Sequence, residues 1–430
     1  MTPPSSVHPP AGSAREPLSV LLVSVARPAA CLADIAPMAG RIAARRLARV
    51  WMVHWSDLER GEQGLRIAVS GAAVPVGKRS QSTPRRRRFD VLLFYPTSDS
   101  AADFSPREKS ALDALAVGAH FRSSRYAVVR HLLVRAARRG QITNATGNDG
   151  NFGIKTELAG ILDEFEKATG CCVPRPRTWN VRGSAPDEIG AAASPCARFI
   201  FKPANNARGL GIRIDTDFGG GGGCDGGGTW IKQELLADPL LVGSFKADIR
   251  AYVVIDTSSR ENCAIPREML VRLAAYPYRR GELYAELTNS SVRQRLGLPQ
   301  STTLLDATDV IPPLVRRRIA AQVKNIGEKF LDSYFWYAET QPVCGPRVLL
   351  WGLDFFIAGP ASDYAATLLE VNAYPSLFVT DKEYGEAIVR VMQSQLSVIA
   401  VVCKRADDPT KLTSASSPRR RSSHHPAGGS

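Results

Sequence analysis

The sequence lacks most of the short motifs that identify a metal or nucleotide chemistry. Its eight cysteines contain no C-x-x-C pair, and its six histidines form no H-E-x-x-H or H-x-x-E-H pattern. No Gly-Lys-Ser/Thr sequence occurs, which excludes a Walker A loop. Zinc sites of the usual spacing are therefore not indicated. Scattered cysteines of this kind favour reduced thiols and a cytosolic compartment over a secreted one.

Long apolar runs are also scarce. The segment PLSVLLVSVA (17–26) follows a Pro/Ser-rich leader and is ended by Arg27. It therefore predicts a core strand and not a targeting segment. No run approaches the roughly 20 apolar residues that span a bilayer, so we expect a soluble protein with no membrane partner.

Basic residues are in excess in a chain of otherwise ordinary composition. The 430 residues are 44% hydrophobic and 22% charged, as expected for a globular protein of about two or three packed units. The 55 Lys and Arg outnumber the 41 Asp and Glu, which gives a net charge of +14. Such a charge favours a polyanionic partner: nucleic acid, an anionic membrane or a very acidic protein. Composition does not choose among the three.

Composition shifts divide the chain. We predict a disordered leader (1–15), a small α/β domain (16–104), a central subdomain (105–230, with a Gly-rich loop at 219–228), a C-terminal subdomain (231–403) and a disordered basic tail (404–430). The basic run Arg85 to Arg88 is either a solvated loop or a contact for an acidic partner. A helix is predicted from about Tyr384 to Val402, with apolar positions at core spacing.

Two apolar segments near the end carry polar acceptors. They are LLWGLDFFIAG (349–359) and TLLEVNAYPSL (367–377), joined by a turn, so a β-hairpin is predicted. Glu370 and Asn372 project from one strand face because they are two residues apart. If Asp354 faces them, three hard oxygen ligands converge, which is typical of magnesium. The alternative is three half-exposed polar residues on an edge strand.

Two glycine-containing segments are candidates for a phosphate-binding loop. Lys202 ends the strand ARFIFK and is followed by Arg208-Gly209-x-Gly211, a short loop that can close N–H groups and cations over phosphates. A plain hairpin turn explains the same pattern. The denser run GGGGGCDGGG (219–228) matches G-x-G-x-x-G by chance, since eight of its ten residues are glycine. It reads as a flexible connector between strands.

Charged residues alternate along one predicted strand. Lys246, Asp248 and Arg250 lie on one face, with Ala247 and Ile249 on the other, which predicts a lined cleft. The segments that follow supply Arg272, Thr288 and Asn289.

In this order the elements resemble the tubulin tyrosine ligase-like family, whose members have an ATP-grasp fold. The resemblance covers roughly residues 105 to 400. The matching motifs are Lys202-Pro203 with Arg208-Gly209-Leu210-Gly211-Ile212; Gln233, Pro239-Leu240-Leu241, Gly243, Lys246, Asp248, Arg250 and Tyr252; Leu287-Thr288-Asn289-x-Ser291; Gly352-x-Asp354-Phe355; and Leu368-Leu369-Glu370-Val371-Asn372-x-x-Pro375. The segment NFGIKTELAGIL, which contains Lys155, and PRTWNV are also similar to the family.

Two positions depart from the family pattern. Ala247 stands where the family usually has Phe, which removes a packing group. Glu286 stands where it usually has His before L-T-N, which places a carboxylate near the nucleotide. The first change concerns packing, whereas the second could weaken ATP binding or alter the acceptor.

The resemblance implies an α/β (α+β) ATP-grasp fold with a small N-terminal α/β domain and MgATP held between two mainly antiparallel sheets. It implies Asp354, Glu370 and Asn372 as magnesium ligands, and Arg250, Arg272 and Glu370 as catalytic residues, Arg250 facing the substrate carboxylate. The implied nucleotide contacts are Lys202, Arg208, Gly209, Gly211, Gln233, Glu234, Leu235, Leu236, Lys246, Asp248, Thr288 and Asn289.

The implied activity is an ATP-dependent carboxylate–amine ligation through an acyl phosphate. The expected reaction adds a free amino acid, glutamate by preference, to glutamate side chains or tails of tubulin in the cytoplasm, on microtubules or axonemes. Tyrosine or glycine as the added residue is the near alternative. A catalytically weak or inactive member that binds tubulin or nucleotide is a second alternative. The alternative of a nucleic-acid-binding protein is supported by the net charge alone, since the sequence has no recognisable nucleic-acid-binding motif.

Overall fold

The computed structural model of the chain describes residues 18–24, 48–54, 56, 58–61, 64–67, 74–75, 91–94, 105–115, 117, 125–138, 141–144, 146, 148–182, 198–204, 209–215, 229–299, 301–341, 347–359, 364–375 and 382–406. The predictions for the leader, the Arg85 to Arg88 run, the Gly-rich loop, Arg208 and the tail beyond residue 406 lie outside these residues.

The first half of the chain contributes a mainly parallel sheet. Its strands are β1 (Leu18–Ser24), β2 (Ala48–His54), β5 (Val74–Pro75), β6 (Val91–Phe94) and β7 (Ile142–Thr143), in the order β5-β2-β1-β6-β7. A separate hairpin is formed by β3 (Leu58–Gly61) and β4 (Gly64–Ile67). Strand β1 is parallel to both neighbours, which is the strand arrangement typical of an α/β domain.

Three helices follow: α1 (Pro106–Ala114), α2 (Arg125–Ala137) and α3 (Lys155–Thr169). Ser105 and Glu108 form a capping box, in which each side chain accepts a hydrogen bond from the other residue's backbone N–H. Helix α3 ends at Gly170, whose φ of 71° is the left-handed conformation that glycine adopts readily.

Two antiparallel sheets make up the rest of the β structure. The smaller sheet has the order β10-β9-β11-β8 and consists of β8 (Thr178–Arg182), β9 (Phe199–Pro203), β10 (Arg213–Asp215) and β11 (Thr229–Glu234). The larger has the order β15-β14-β13-β16-β17, with β12 on β13, and consists of β12 (Leu241–Val242), β13 (Phe245–Asp256), β14 (Leu270–Leu273), β15 (Thr302–Leu304), β16 (Val348–Ala358) and β17 (Ala365–Asn372). The expected mixed α/β fold with antiparallel sheets is confirmed.

The central strand β13 is buried on both faces, but by different partners. Ala247, Ile249 and Ala251 face a core formed with α3 and α6 (Pro313–Thr340). On the other face, Tyr252 and Val254 pack with α7 (Lys382–Ala406) and with strands of the parallel sheet. Helix α7 therefore covers only the second half of that face. The first half of the strand is left to face a cavity. The short helices α4 (Leu283–Glu286) and α5 (Ser290–Arg295) lie beside it.

Helix α7 is more apolar than the sequence analysis expected. By length and composition alone, its segment Gly385–Cys403 could cross a membrane. More than half of this segment is buried inside the protein, where it packs on β13, β15 and β16. The same pattern is typical of a soluble protein's core helix, which agrees with the core packing predicted for it.

A buried ion pair joins distant parts of the chain. Asp149 lies in a 3₁₀ turn (Asn148–Gly153) before α3, and Arg347 directly precedes β16. The Arg347 Nη1–Asp149 Oδ1 and Nη2–Oδ2 distances are both 2.9 Å, and Tyr334 donates its hydroxyl to the same carboxylate. Burial raises the pKa of Tyr334, and the Asp149 carboxylate adds to the shift. This cluster fixes the start of β16 against the turn before α3.

Candidate active site between two antiparallel sheets

A cavity of about 1050 Å³ lies between the two antiparallel sheets. Of the predicted site residues that the structure describes, all but Gly211 line it. They are Lys202, Gly209, Gln233, Glu234, Leu235, Leu236, Lys246, Asp248, Arg250, Arg272, Thr288, Asn289, Asp354, Glu370 and Asn372. Residues more than 150 positions apart thus share one cavity, whereas their chemical roles stay predictions.

The hairpin of β16 and β17 brings the three predicted metal ligands together. Asp354 lies directly opposite Glu370 in the antiparallel register, and Asn372 follows on the same face of β17. The Asn372 Nδ2 atom is 3.1 Å from Asp354 Oδ2 and 3.4 Å from Glu370 Oε1. The condition set by the sequence analysis, that Asp354 face the other two, is therefore met.

This donor set fits magnesium. Two carboxylates and one amide provide hard oxygen ligands, and Mg²⁺ in nucleotide sites completes its shell with water and phosphate oxygens. Rotating the Asn372 side-chain amide by half a turn points its oxygen to the position that Nδ2 occupies. Among the described residues no cluster of three or more His, Cys, Asp or Glu side chains occurs, so the amide is needed to complete a protein triad.

Two arginines neutralise Asp354, which is almost completely buried. Arg250 donates from Nε to Asp354 Oδ1 at 2.6 Å and from Nη2 to Oδ2 at 2.7 Å, and Arg272 Nη2 is 3.1 Å from Oδ2. Burial alone raises the pKa of a carboxyl group, but the two guanidinium groups outweigh it and hold the pKa of Asp354 well below its usual range. Asp354 is therefore ionised at any physiological pH. Arg250, predicted to bind a substrate carboxylate, binds the chain's own carboxylate in this structure.

A second ion pair lies two residues away along β13. Arg272 on β14 is paired directly with Asp248 on β13 and donates to both of its oxygens. The Thr288 hydroxyl also donates to Asp248, at 2.5 Å. Asp248 thereby orients the arginine that reaches across to Asp354. The alternation Lys246-x-Asp248-x-Arg250 has the common face that the sequence predicted.

Lys202 is the cation with the least compensation. Among the described residues its only hydrogen bond runs from Nζ to Gln233 Oε1, at 2.7 Å, and Gln233 Nε2 in turn donates to Thr178 Oγ1. Burial lowers the pKa of Lys202, because the ammonium loses hydration and no carboxylate pairs with it directly. Gln233, one of the predicted nucleotide contacts, thus also positions Lys202.

Lys246 is neutralised by Glu286, one of the two departures from the family pattern. Its Nζ lies 2.7 Å from Glu286 Oε2, and both side chains are buried. The other departure, Ala247, lies on the opposite face of β13 within the core. It therefore affects packing and leaves the cavity lining unchanged, as the sequence analysis expected.

Gly209 approaches the cavity wall in a conformation that favours glycine. Its φ is 71°, and a Cβ there would lie 2.9 Å from Val292 Cγ2 and 3.5 Å from Asn289 Oδ1. The loop that contains it therefore packs directly on the start of α5. Gly211 also has a positive φ, of 72°, but does not line the cavity.

Several further residues contribute to the site, although no role was predicted for them from the sequence. Thr178 orients Gln233, and Phe356 lies beneath Lys246, with Nζ 5.1 Å from the ring centre. Lys155, Gln294 and Thr302 also line the cavity. Single polar residues in helices and short strands give no local signal. Only the three-dimensional arrangement identifies them.

Comparison with known proteins agrees with this geometry. Residues 116–304 match the model of the tubulin-tyrosine ligase family. The mouse protein named probable tubulin polyglutamylase TTLL2 is 29% identical over 214 residues, which cover 44% of this chain and 37% of the mouse protein. The human protein of the same name is 36% identical over 99 residues, or 22% of this chain and 16% of that protein. Tubulin polyglutamylase TTLL7 of Xenopus tropicalis is 32% identical over 102 residues, covering 22% of this chain and 11% of that protein.

The aligned regions span at most 37% of the length of these relatives. Within this chain, the family match contains strands β8 to β14 and the cavity residues from Lys202 to Asn289. It ends before β16 and β17, which carry Asp354, Glu370 and Asn372. The resemblance seen in the sequence is confirmed over residues 116–304, the part of the chain that the tubulin-tyrosine ligase family model matches.

Proposed function

We propose that this protein is an ATP- and magnesium-dependent ligase that adds an amino acid, by preference glutamate, to glutamate side chains or tails of tubulin. The family match supports a ligase of this class. The names of the relatives, which are tubulin polyglutamylases, support tubulin as the acceptor and glutamate as the added residue.

One observation carries the proposal: a buried lysine ammonium faces the cavity, and among the described residues its only hydrogen-bond partner is a neutral amide. Burying a charge without a directly paired counterion costs several kcal/mol, at an order-of-magnitude estimate. The cost at Lys202 is explained if an anionic ligand completes its coordination. A carboxylate–amide triad suited to Mg²⁺ lines the same cavity. Cation and metal ligands together are what a polyphosphate requires.

The residues of the chain then have distinct tasks. Lys202 and Lys246 would face phosphate oxygens. Arg250 and Arg272 would neutralise charge that develops on the transferred phosphoryl group and on the acceptor carboxylate. Magnesium, held by Asp354, Glu370 and Asn372, would supply electrostatic stabilisation of the phosphates.

The reaction requires no protein nucleophile. An acceptor carboxylate oxygen attacks the γ-phosphorus of ATP, and ADP leaves, which produces an acyl phosphate. The amine of the incoming amino acid then attacks the acyl carbon. Phosphate leaves, the amine loses a proton, and an amide bond is formed. A site of cations, metal ligands and hydrogen-bond donors fits such a sequence, because positioning and charge neutralisation dominate phosphoryl transfer.

The net charge of +14 suits a polyanionic acceptor such as a glutamate-rich tubulin tail. We therefore also propose that the protein acts in the cytoplasm, on microtubules or axonemes.

The test is incubation of the protein with tubulin, MgATP and labelled glutamate, glycine or tyrosine in separate reactions. We expect incorporation of glutamate, located on the acidic tails by mass spectrometry, and its loss in Glu370→Gln. Glu268→Gln is the matched control, because it makes the same substitution at a buried glutamate outside the cavity, whose Oε1 lies 3.0 Å from Arg390 Nε. This control should retain activity.

Each other result has a defined meaning. Incorporation of glycine or tyrosine alone would replace glutamate as the added residue. Stabilisation by MgATP without incorporation would indicate a nucleotide-binding member without ligase activity. If no label is incorporated and MgATP leaves the melting temperature unchanged, the proposed function is wrong.

A further inference from the structure

Glu286 has a position that the proposed reaction does not explain. It lies at the end of the short helix α4, where its side chain is 1% exposed. Its Oε2 atom contacts Lys246 Nζ at 2.7 Å, and its Oε1 atom accepts a hydrogen bond from the backbone N–H of Gly281 at 3.0 Å. The carboxylate therefore connects the central strand β13 to the loop before α4.

This pairing differs from the other ion pairs of the cavity. Arg250 and Arg272 pair with Asp354 and Asp248, which lie on the same sheet and belong to the predicted site. Lys246 pairs instead with a carboxylate that stands where the resembling motif has histidine. A neutral imidazole would leave the full positive charge of Lys246 directed at a ligand. Glu286 cancels that charge.

Contact between Lys246 and a phosphate would take the counterion away from Glu286. If Lys246 turns its ammonium toward an anion, Glu286 keeps only the Gly281 N–H as a partner. A buried carboxylate that loses its counterion is strongly destabilised. Binding an anion at Lys246 therefore works against the Lys246–Glu286 pair.

We propose that Glu286 is an internal counterion that competes with the nucleotide phosphates for Lys246, so that it weakens MgATP binding and stabilises the protein before nucleotide binds. The inference rests on the proposed function, since it takes MgATP as the ligand of this cavity. Glu286 is a positioning residue in this account, because it acts through Lys246.

Substitution by glutamine keeps the contact with Gly281 and removes the anionic partner of Lys246. In Glu286→Gln the side chain has almost the same shape, and its carbonyl oxygen still accepts from the Gly281 N–H. The amide nitrogen, which cannot accept a hydrogen bond, then faces Lys246, so both the negative charge and the acceptor opposite Lys246 are removed. Glu286→His places the histidine of the resembling motif at this position. Glu268→Gln again serves as the control for losing a buried carboxylate elsewhere.

The experiment measures the dissociation constant for MgATP by isothermal titration calorimetry, and melting temperatures with and without MgATP. For Glu286→Gln and Glu286→His we expect binding about tenfold tighter than wild type, equivalent to about 1.4 kcal/mol. We also expect a lower melting temperature without nucleotide and a larger rise on adding it. The free protein is less stable because Lys246 loses the Glu286 carboxylate as its anionic partner. MgATP binds more tightly because its phosphates no longer compete with that carboxylate. Glu268→Gln should leave MgATP affinity unchanged.

Unchanged or weaker MgATP binding in both variants, with wild-type protein binding normally, would overturn this inference and leave the proposed function intact. If neither wild type nor any variant binds MgATP, the proposed function fails as well. If the variants fold only when MgATP is added, the competition is supported. If MgATP does not restore them, Glu286 is a structural counterion and the inference is wrong.

Discussion

Substitution of Lys202 by methionine tests whether the uncompensated lysine exists for a ligand. Methionine has a similar length and an apolar, flexible side chain, so it can fill the same space. The variant removes a buried ammonium that has one hydrogen bond, to Gln233. If Lys202 stabilises the fold, the variant should lose stability and keep its affinity for MgATP. If Lys202 binds the ligand, the variant should keep its stability and lose affinity for MgATP.

The two contributions to the free energy of unfolding can be compared. Removing a buried ammonium without an ion-paired partner relieves a desolvation cost of several kcal/mol, at order of magnitude. The Gln233 carbonyl loses its donor, which costs about 1 to 3 kcal/mol. The stability of Lys202→Met should therefore equal or slightly exceed that of wild type. Loss of a charged hydrogen bond to phosphate, worth about 1.5 to 3 kcal/mol, should weaken MgATP binding about 10- to 150-fold.

Urea denaturation gives the first quantity and calorimetric titration with MgATP the second. Lys324→Met, at an exposed position on α6, is the control and should leave MgATP affinity unchanged. If Lys202→Met lost several kcal/mol of stability and kept its MgATP affinity, Lys202 would be a structural residue. The principal argument for a polyphosphate ligand would then be refuted.

Three further predictions concern the same cavity. Gly209→Ala should cost about 1–2 kcal/mol for its left-handed backbone and weaken MgATP binding, because its Cβ would lie 2.9 Å from buried Val292 and 3.5 Å from Asn289, which lines the cavity. Gly170 has the same φ, but a Cβ there would have no neighbour within 4 Å, so Gly170→Ala should leave the calorimetric MgATP affinity unchanged. An equal loss of MgATP affinity in both variants would contradict the assignment of Gly209 to the nucleotide site. Because burial lowers the pKa of Lys202 and a bound phosphate favours its charged form, MgATP binding should take up protons at alkaline pH and weaken as pH rises, starting below the ordinary lysine range. Titrations in buffers of different ionisation enthalpy measure this uptake, and Lys202→Met should abolish it. Arg250→Ala should lower the free energy of unfolding by about 3–5 kcal/mol, because it leaves a buried carboxylate without its bidentate partner. Arg260→Ala, which breaks ion pairs with more exposed partners, should cost below about 1 kcal/mol in the same urea assay, and similar costs for both would refute the argument.

Local patterns were sufficient to predict the hairpin and the charged face of β13. In a strand, residues two apart share a face, so Glu370 and Asn372 had to project together. A turn between two apolar segments then placed Asp354 opposite them. Local sequence also marks some helix ends, with Ser105 as the cap of α1 and Gly170 at the end of α3.

Local sequence patterns did not predict which charged side chains pair with each other. Periodicity gives the face on which Lys246 lies but not the residue that it meets, and Glu286 comes from a helix 40 positions away. The apolar character of α7 was also underestimated, because polar residues interrupt it in sequence while packing of the fold buries most of its length. The reason is the same in both cases. Long-range contacts are set by tertiary packing.

The buried ion pair of Asp149 and Arg347 limits which fragments of the chain can fold. Its partners are 198 positions apart, and the family match ends at residue 304, before either β16 or β17 has been made. A fragment of residues 116–304 would leave Asp149 without its arginine and one edge of β13 without β16, exposing apolar surface and unpaired backbone groups. During synthesis the same region must wait for the ribosome to deliver residues beyond 347. We therefore expect the smallest fragment that folds to extend beyond residue 304, where the family match ends.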